Sequence, residues 1–314
     1  MAVTGVKSTA VAIGGGTGLP NVLRCLIEMG YDTTAVVTVA DDGGSSGALR
    51  RELGMLPPGD ARNCLVAMAH PDSPFSRVFQ YRFPHGEGLA GHALGNLIIA
   101  ALADIEGSFP AALDDAARLL GVRGRVLPST LDDVVLAARD VDGNRIVGQV
   151  AVAENTAPIA AVCYEGDEPD VYPPVVAALS RADLVVIGPG SLYTSILPNF
   201  LVRGVTGALR DTPAKVIYVC NVANQRGETA CMDAADHVRA LVGHGLDGVI
   251  DVAVVHDTDA HPLTGDVEPV LGGAAELERI RTLGVATVAA DLVDPCDERH
   301  HSRERLLAVL EGVA

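Results

Sequence analysis

Tryptophan is absent, and aromatic residues make up only 4% of the 314 residues. The core must therefore be filled by Val, Leu, Ile and Ala, the usual interior of a buried parallel sheet. Few rings are left on which a single nucleic-acid strand could stack. Positive charge is scarce as well: 23 Lys and Arg face 40 Asp and Glu, a formal net charge of −17. A chain this acidic is repelled by nucleic acid and by anionic membranes, so no nucleic-acid partner is expected. A small anion is not excluded, because backbone N–H groups and one or two Arg can make a local positive site.

Other signatures are missing too. None of the six cysteines (Cys25, Cys64, Cys163, Cys220, Cys231, Cys296) belongs to a C-x-x-C pair, and several sit in apolar runs, so buried reduced thiols are expected. The start of the chain carries one Lys, Lys7, and an apolar run that stops at Gly14, unlike a secretory signal. The apolar run near Leu97–Ala103 is too short to span a bilayer. These absences predict a cytoplasmic protein without membrane insertion. No H-E-x-x-H spacing occurs, and His256, His261, His300 and His301 read as surface residues.

What is present is a strand–helix rhythm. Ser8–Ile13 reads as a buried strand, Pro20–Met29 as a helix and Thr33–Val39 as a second strand, which is a βαβ unit. Helices follow from Asp60 to about Ala69, from Ser73–Pro74 to Tyr81, over His92–Ile105, and from Ser108 to before Gly121. Val134–Arg139 and Arg145–Ala153, joined across Asp142-Gly143, predict a β-hairpin on the edge of the main sheet. The rhythm then resumes with strands at Leu184–Ile187, Val216–Cys220, Val249–Val255 and Thr287–Ala290. Helices are expected near Pro174–Ser180, Phe200–Leu209, Thr229–Val242 and Ala275–Leu283, and after Arg299. The expectation is one large α/β domain with a Rossmann-like, doubly wound, mainly parallel sheet. Its core would span residues 8–70 and 155–314, with a helical and hairpin insertion over 71–154.

Five segments carry polar or glycine-rich chemistry. Gly14-Gly15-Gly16-Thr17-Gly18 follows the first strand and opens a helix at Leu19. Such a turn lets backbone approach a pyrophosphate at a helix N-terminus. It matches neither G-x-G-x-x-G, because Leu19 stands at the third glycine position, nor a P-loop. The alternative is a tight turn without a ligand. Asp41-Asp42-Gly43-Gly44-Ser45-Ser46-Gly47 lies where a ribose diol is read in open α/β sheets, and Asp41 and Asp42 are candidates for Mg²⁺. The alternative is an acidic capping turn. Asp60 and Asn63 form a third site, and His92 and Asn96, read as i, i+4 neighbours on one helix face, accompany them; each can be purely structural.

The fourth segment runs Gly188-Pro189-Gly190-Ser191-Leu192-Tyr193-Thr194-Ser195, with Asn199 beyond; it lacks the G-x-S-x-G of a hydrolase elbow. The fifth, Asn221 through Asn224 to Thr229, offers amides for a base or sugar, though Thr229 can equally be an N-cap. Arg299 and Arg303 can supply fixed positive charge for a diphosphate, or simply lie on a solvated helix face.

Together, in order and spacing, these segments resemble the YvcK-like (gluconeogenesis factor, UPF0052) proteins, related to CofD, the 2-phospho-L-lactate transferase. The resemblance runs from about Val11 to Leu307. It implies a Rossmann-like sheet, a nucleotide-sugar ligand of the UDP-N-acetylglucosamine type, and a role linking carbon metabolism to cell-wall synthesis and cell shape. Arg299-His300 matches the family's Arg-His pair, while His301 stands where Asp is usual. A homo-oligomer and cell-wall-synthesis partners are expected from it. The transferase relative implies a Mg²⁺-dependent alternative at Asp41/Asp42. An NAD-binding oxidoreductase is a third reading, weakened by Leu19.

Overall fold

The computed structural model describes residues 8–16, 18–70, 72–264 and 267–314. Among the described residues twelve strands follow one another: β1 (Thr9–Gly14), β2 (Asp32–Val37), β3 (Arg125–Pro128), β4 (Leu136–Asp140), β5 (Arg145–Val147), β6 (Ile159–Tyr164), β7 (Leu184–Ile187), β8 (Lys215–Val219), β9 (Val252–His256), β10 (Ala286–Ala290), β11 (Val293–Asp294) and β12 (Asp297–His301). Seven of them form one sheet in the order β10-β9-β8-β7-β1-β2-β3. Every pairing in it is parallel.

Alternating side chains fill two cores. Val11 and Ile13 of β1 with Val185 and Ile187 of β7 face one side, and Ala10 and Ala12 with Leu184 and Val186 face the other. Burial on both faces explains the continuous apolar runs and the doubly wound architecture. Helices Leu19–Glu28, Gly59–Met68, Phe109–Leu120 and Arg303–Val313 cover the second face. The strand order reverses between β1 and β7, and an open α/β sheet binds its ligands at the carboxyl ends beside such a reversal.

Several expectations need correction. The hairpin forms, with β4 and β5 antiparallel, but not on the edge of the main sheet. It joins β6 in a separate three-stranded sheet, because Leu136, Ala138 and Val162 bury against the first core. The second arm ends at Val147, and Gln149–Ala153 is helical. The edge position is taken by β3, which lies inside 71–154 and pairs with β2. Helix Gly44–Leu53 arises where no element was expected. All six cysteines are free, but Cys163, Cys231 and Cys296 are exposed. His256 and His301 are buried rather than on the surface.

Candidate functional site

The glycine turn leaves β1 at its carboxyl end. Gly14 takes its carbonyl to the Thr38 N–H at 3.2 Å and to the buried Asn199 amide at 3.2 Å. Gly16 adopts a left-handed φ of +63°. Thr17 lies outside the described residues. Helix Leu19–Glu28 then begins with no side-chain cap, and its first-turn N–H groups are left to other acceptors. The Leu19 side chain is wholly buried in the second core, so only its backbone can face a ligand.

A second glycine turn leaves β7, the neighbouring strand. The two approach so closely that a Cβ on Gly18 would stand 2.4 Å from the Pro189 carbonyl oxygen. Asn221, at the end of β8, brackets the second turn: its Oδ1 accepts the Gly190 N–H at 3.0 Å and its Nδ2 donates to the Gly190 carbonyl at 2.7 Å. Gly18, Pro189, Gly190, Ser191, Asn221, Asn224 and Arg299 line one cleft of ≈ 390 Å³. Asn21, Gln225, His300 and His301 also line it; Gln225 lies within the fifth segment and His300 in the Arg-His pair, whereas Asn21 belongs to no motif. Arg299 is exposed, with its guanidinium paired to Asp297 at 2.9 Å.

Several of the expected residues at and below the cleft are engaged by the protein's own hydrogen bonds. Asn199 donates to the Gly14, Ser195 and Ile196 carbonyls. Thr194 donates its hydroxyl to buried Glu228 at 2.6 Å, and the Tyr193 N–H donates to the same carboxylate at 3.1 Å. Burial raises the Glu228 carboxyl, opposed by these donors. Ser195 is buried, its hydroxyl near the Gly16 position. Asn224 donates to the Met232 and Pro269 carbonyls. Thr229 does not cap a helix: it accepts the Gln225 N–H at 3.0 Å, and helix Ala234–Leu241 starts later at an Asp233–Asp236 capping box.

On the β2 side, Asp42 is already engaged. Its two carboxylate oxygens accept the Gln149 and Val150 N–H groups at 2.8 and 3.0 Å, fixing the start of the helix at 149–153. Each Asp42 oxygen thus has one N–H partner from this helix. Asp41 spends one oxygen on the Gly43 N–H at 3.0 Å and directs the other toward Gly59. Asp60 sits inside the first turn of Gly59–Met68, where Pro58 takes the cap position, and therefore does not cap it. Its carboxyl is pushed up to about 7, first by burial, then by the neighbouring charge of Asp41. A Cβ on Gly15 would meet Asp60 Oδ2 at 2.5 Å, so the bare backbone of Gly15 is what admits this carboxyl.

A polar chain leads outward from the turn. Asn63 donates to the Gly16 carbonyl at 3.4 Å, and Arg62 donates to Asn63 at 2.7 Å and to Asn96 at 3.1 Å. Asn96 in turn donates to Ser45 at 3.0 Å, and Ser45 meets His92 Nδ1 at 3.1 Å. Ser46 accepts the Gly59 N–H at 3.1 Å, while Gly44 opens its helix at a φ of +45°. His92 precedes its helix, which begins at Leu94, so the expected i, i+4 face does not exist; Ser45 brings the pair together instead. Arg62 is the residue that sequence reasoning missed. It is buried with Nε unpartnered, and its place between Asp60 and Asn63 on one helix was the available signal.

This assembly has known counterparts. Residues 10–293 match the family described as 2-phospho-L-lactate transferase CofD. The chain belongs to the CofD family. Within it, a protein of Halalkalibacterium halodurans named gluconeogenesis factor is 38% identical over 98% of this chain and 97% of its own. The Bacillus subtilis gluconeogenesis factor is 46% identical over 81% of this chain and 80% of its own. A crystal structure of a UPF0052 member from Bacillus halodurans superposes with a TM-score of 0.91 at 37% identity, covering 97% of this chain and 99% of that one. That CofD-family fold agrees with the seven-stranded parallel sheet described above. Among the described residues, no helix is long and apolar enough to cross a membrane.

Proposed function

We propose that the cleft between the two glycine turns binds the diphosphate of a nucleotide sugar of the UDP-N-acetylglucosamine type. In this reading the protein is a cytoplasmic, homo-oligomeric regulator that links carbon metabolism to cell-wall synthesis and cell shape through partner proteins. The observation that carries it is the Gly18–Pro189 approach at the strand-order reversal, where an uncapped helix start and bare backbone line the cleft that Arg299 borders. Backbone donors and a helix N-terminus suit phosphate oxygens, and Asn221 and Asn224 hold the cleft wall in place for a base or sugar. The relatives' name, gluconeogenesis factor, supports the metabolic side of the reading. A calorimetric panel of UDP-sugars, GDP-sugars and adenine dinucleotides tests it: saturable heat with a UDP-sugar is expected, and silence across the UDP series refutes it.

One observation favours a second reading, a transferase of a 2-phospholactate-type group. Asp41 and Asp60 face each other closely enough for one to raise the other. Two carboxylates with free oxygens suit a Mg²⁺ that keeps several waters and shares a substrate phosphate. No cluster of three or more His, Cys, Asp or Glu fit for a metal occurs among the described residues, so any such ion depends on that phosphate. Bound there, Mg²⁺ would neutralise charge developing on a transferring phosphoryl group. Product formation from a nucleotide-activated phospholactate supports this reading; binding without product returns the protein to the regulator.

A further inference from the structure

A group of three arginines in this acidic chain lies outside the crevice. A cavity of ≈ 820 Å³ opens between the outer sides of helices Leu19–Glu28 and Gly59–Met68, reaching Arg123 before β3 and Arg303 at the start of the last helix. Its wall carries Ile27, Val66 and Met68, and its rim carries Arg24, Arg123, Arg303 and His70. Glu28 is the single carboxylate lining it, and it is paired to Arg303 at 3.1 Å. Arg24 reaches only the Asn21 amide oxygen, at 3.4 Å, and neither Arg24 nor Arg123 has a carboxylate partner among the described residues. Three guanidiniums against one carboxylate, in a molecule of net charge −17, run counter to the surface around them.

We propose that this cavity is a second binding site, for a small organic phosphate whose apolar body rests on Ile27 and Val66 while Arg24, Arg123 and Arg303 hold the phosphate. Guanidiniums match phosphate oxygens with paired N–H donors, and a concave site of this size suits a small molecule. Burial first, then the Arg303 charge, lowers Arg24, so the two cations crowd each other until an anion sits between them. Asn21 borders both this cavity and the nucleotide cleft, but Arg123 belongs to this cavity and Arg299 to the cleft, which separates the two sites experimentally.

The test is calorimetric titration of the full chain with phenyl phosphate, with inorganic phosphate as the charge-only arm. The expected result is a saturable phenyl phosphate site that persists in Arg299→Glu, at least about tenfold tighter than inorganic phosphate. Arg24→Ala/Arg123→Ala should weaken it at least about tenfold, Arg-to-Lys changes should restore part of the loss, and Arg299→Glu should leave it unchanged. Both arginines are exposed, and an unchanged melting temperature verifies folding; the single variants Arg24→Gln and Arg123→Gln repeat the test otherwise. Absence of saturable binding, equal affinity for inorganic phosphate, or a loss that follows Arg299→Glu instead of the double variant overturns the proposal. None of these outcomes depends on whether the cleft binds a nucleotide sugar.

Discussion

Asn221 satisfies both backbone polar groups of Gly190, accepting its N–H at 3.0 Å and donating to its carbonyl at 2.7 Å. One side chain at the end of β8 thereby fixes the turn at the end of β7. Asn221→Ala leaves a part-buried donor and acceptor without partners, which costs about 1–2 kcal/mol. A lower melting temperature and weakened nucleotide binding are expected together. A variant that keeps full stability and full affinity would show that the bracket is dispensable.

Gly18→Ala tests the contact between the turns. Its φ of −77° is open to any residue, so the effect is steric alone. A Cβ 2.4 Å from a backbone oxygen forces the turns apart, at about 1–3 kcal/mol. Thermal unfolding reads the stability loss, and nucleotide titration reads the widened cleft as weaker binding. Gly207→Ala, with nothing within 4 Å of its Cβ, should leave binding unchanged and, inside helix Val205–Arg210, raise stability by about 0.5–1 kcal/mol, and serves as the control.

Asp60 is held where its charge is disfavoured. Its folded value near 7 lies above the ordinary 3.8, so its contribution to stability is full below about 3.8 and is lost as pH rises through about 7. Asp60→Asn should therefore raise stability above pH 7, by about 1–3 kcal/mol, while removing any Mg²⁺ dependence of ligand binding. Unfolding curves at pH 5 and pH 8 check it: the gain belongs at pH 8, and an equal gain at both would contradict the burial of a charge.

His301 works in the opposite direction. Burial lowers it from 6.5 to about 4, despite its hydrogen bond with the Cys220 carbonyl at 2.9 Å. His237 is lowered to about 4 by burial as well. Folded values below the unfolded one give stability that is complete above about 6.5 and is lost as pH falls toward 4. Melting temperature should fall across that window, and His301→Gln should flatten the slope. A slope unchanged in His301→Gln would assign the loss to other groups.

Much of the sheet was legible because buried parallel strands write themselves as apolar runs; β1, β2, β7, β8, β9 and β10 all carry them. β3 escaped because Arg-Val-Leu-Pro is four residues long and holds an edge through pairing with β2. The ribbon of β11 and β12 escaped because Asp297–His301 is polar throughout, its only buried residue being His301. At the site, glycine spacing located both turns. It did not separate Asp41 from Asp42: that depends on Gln149 and Val150, more than a hundred residues away, which occupy one carboxylate and leave the other. Separation in sequence also hid the Ser45–His92 contact, and His92 was misassigned to a helix.

The central claim is that the cleft at the strand-order reversal holds a nucleotide diphosphate beside Arg299. Calorimetric titration of UDP-N-acetylglucosamine into the wild-type chain and into Arg299→Glu tests it most directly. Arg299 is exposed and, among the described residues, paired with Asp297 alone, so the reversal of charge should leave the melting temperature in place. The account predicts saturable binding to the wild type and at least about tenfold weaker binding to the variant. No binding to the wild type at millimolar ligand, or equal affinity in both proteins, would contradict it.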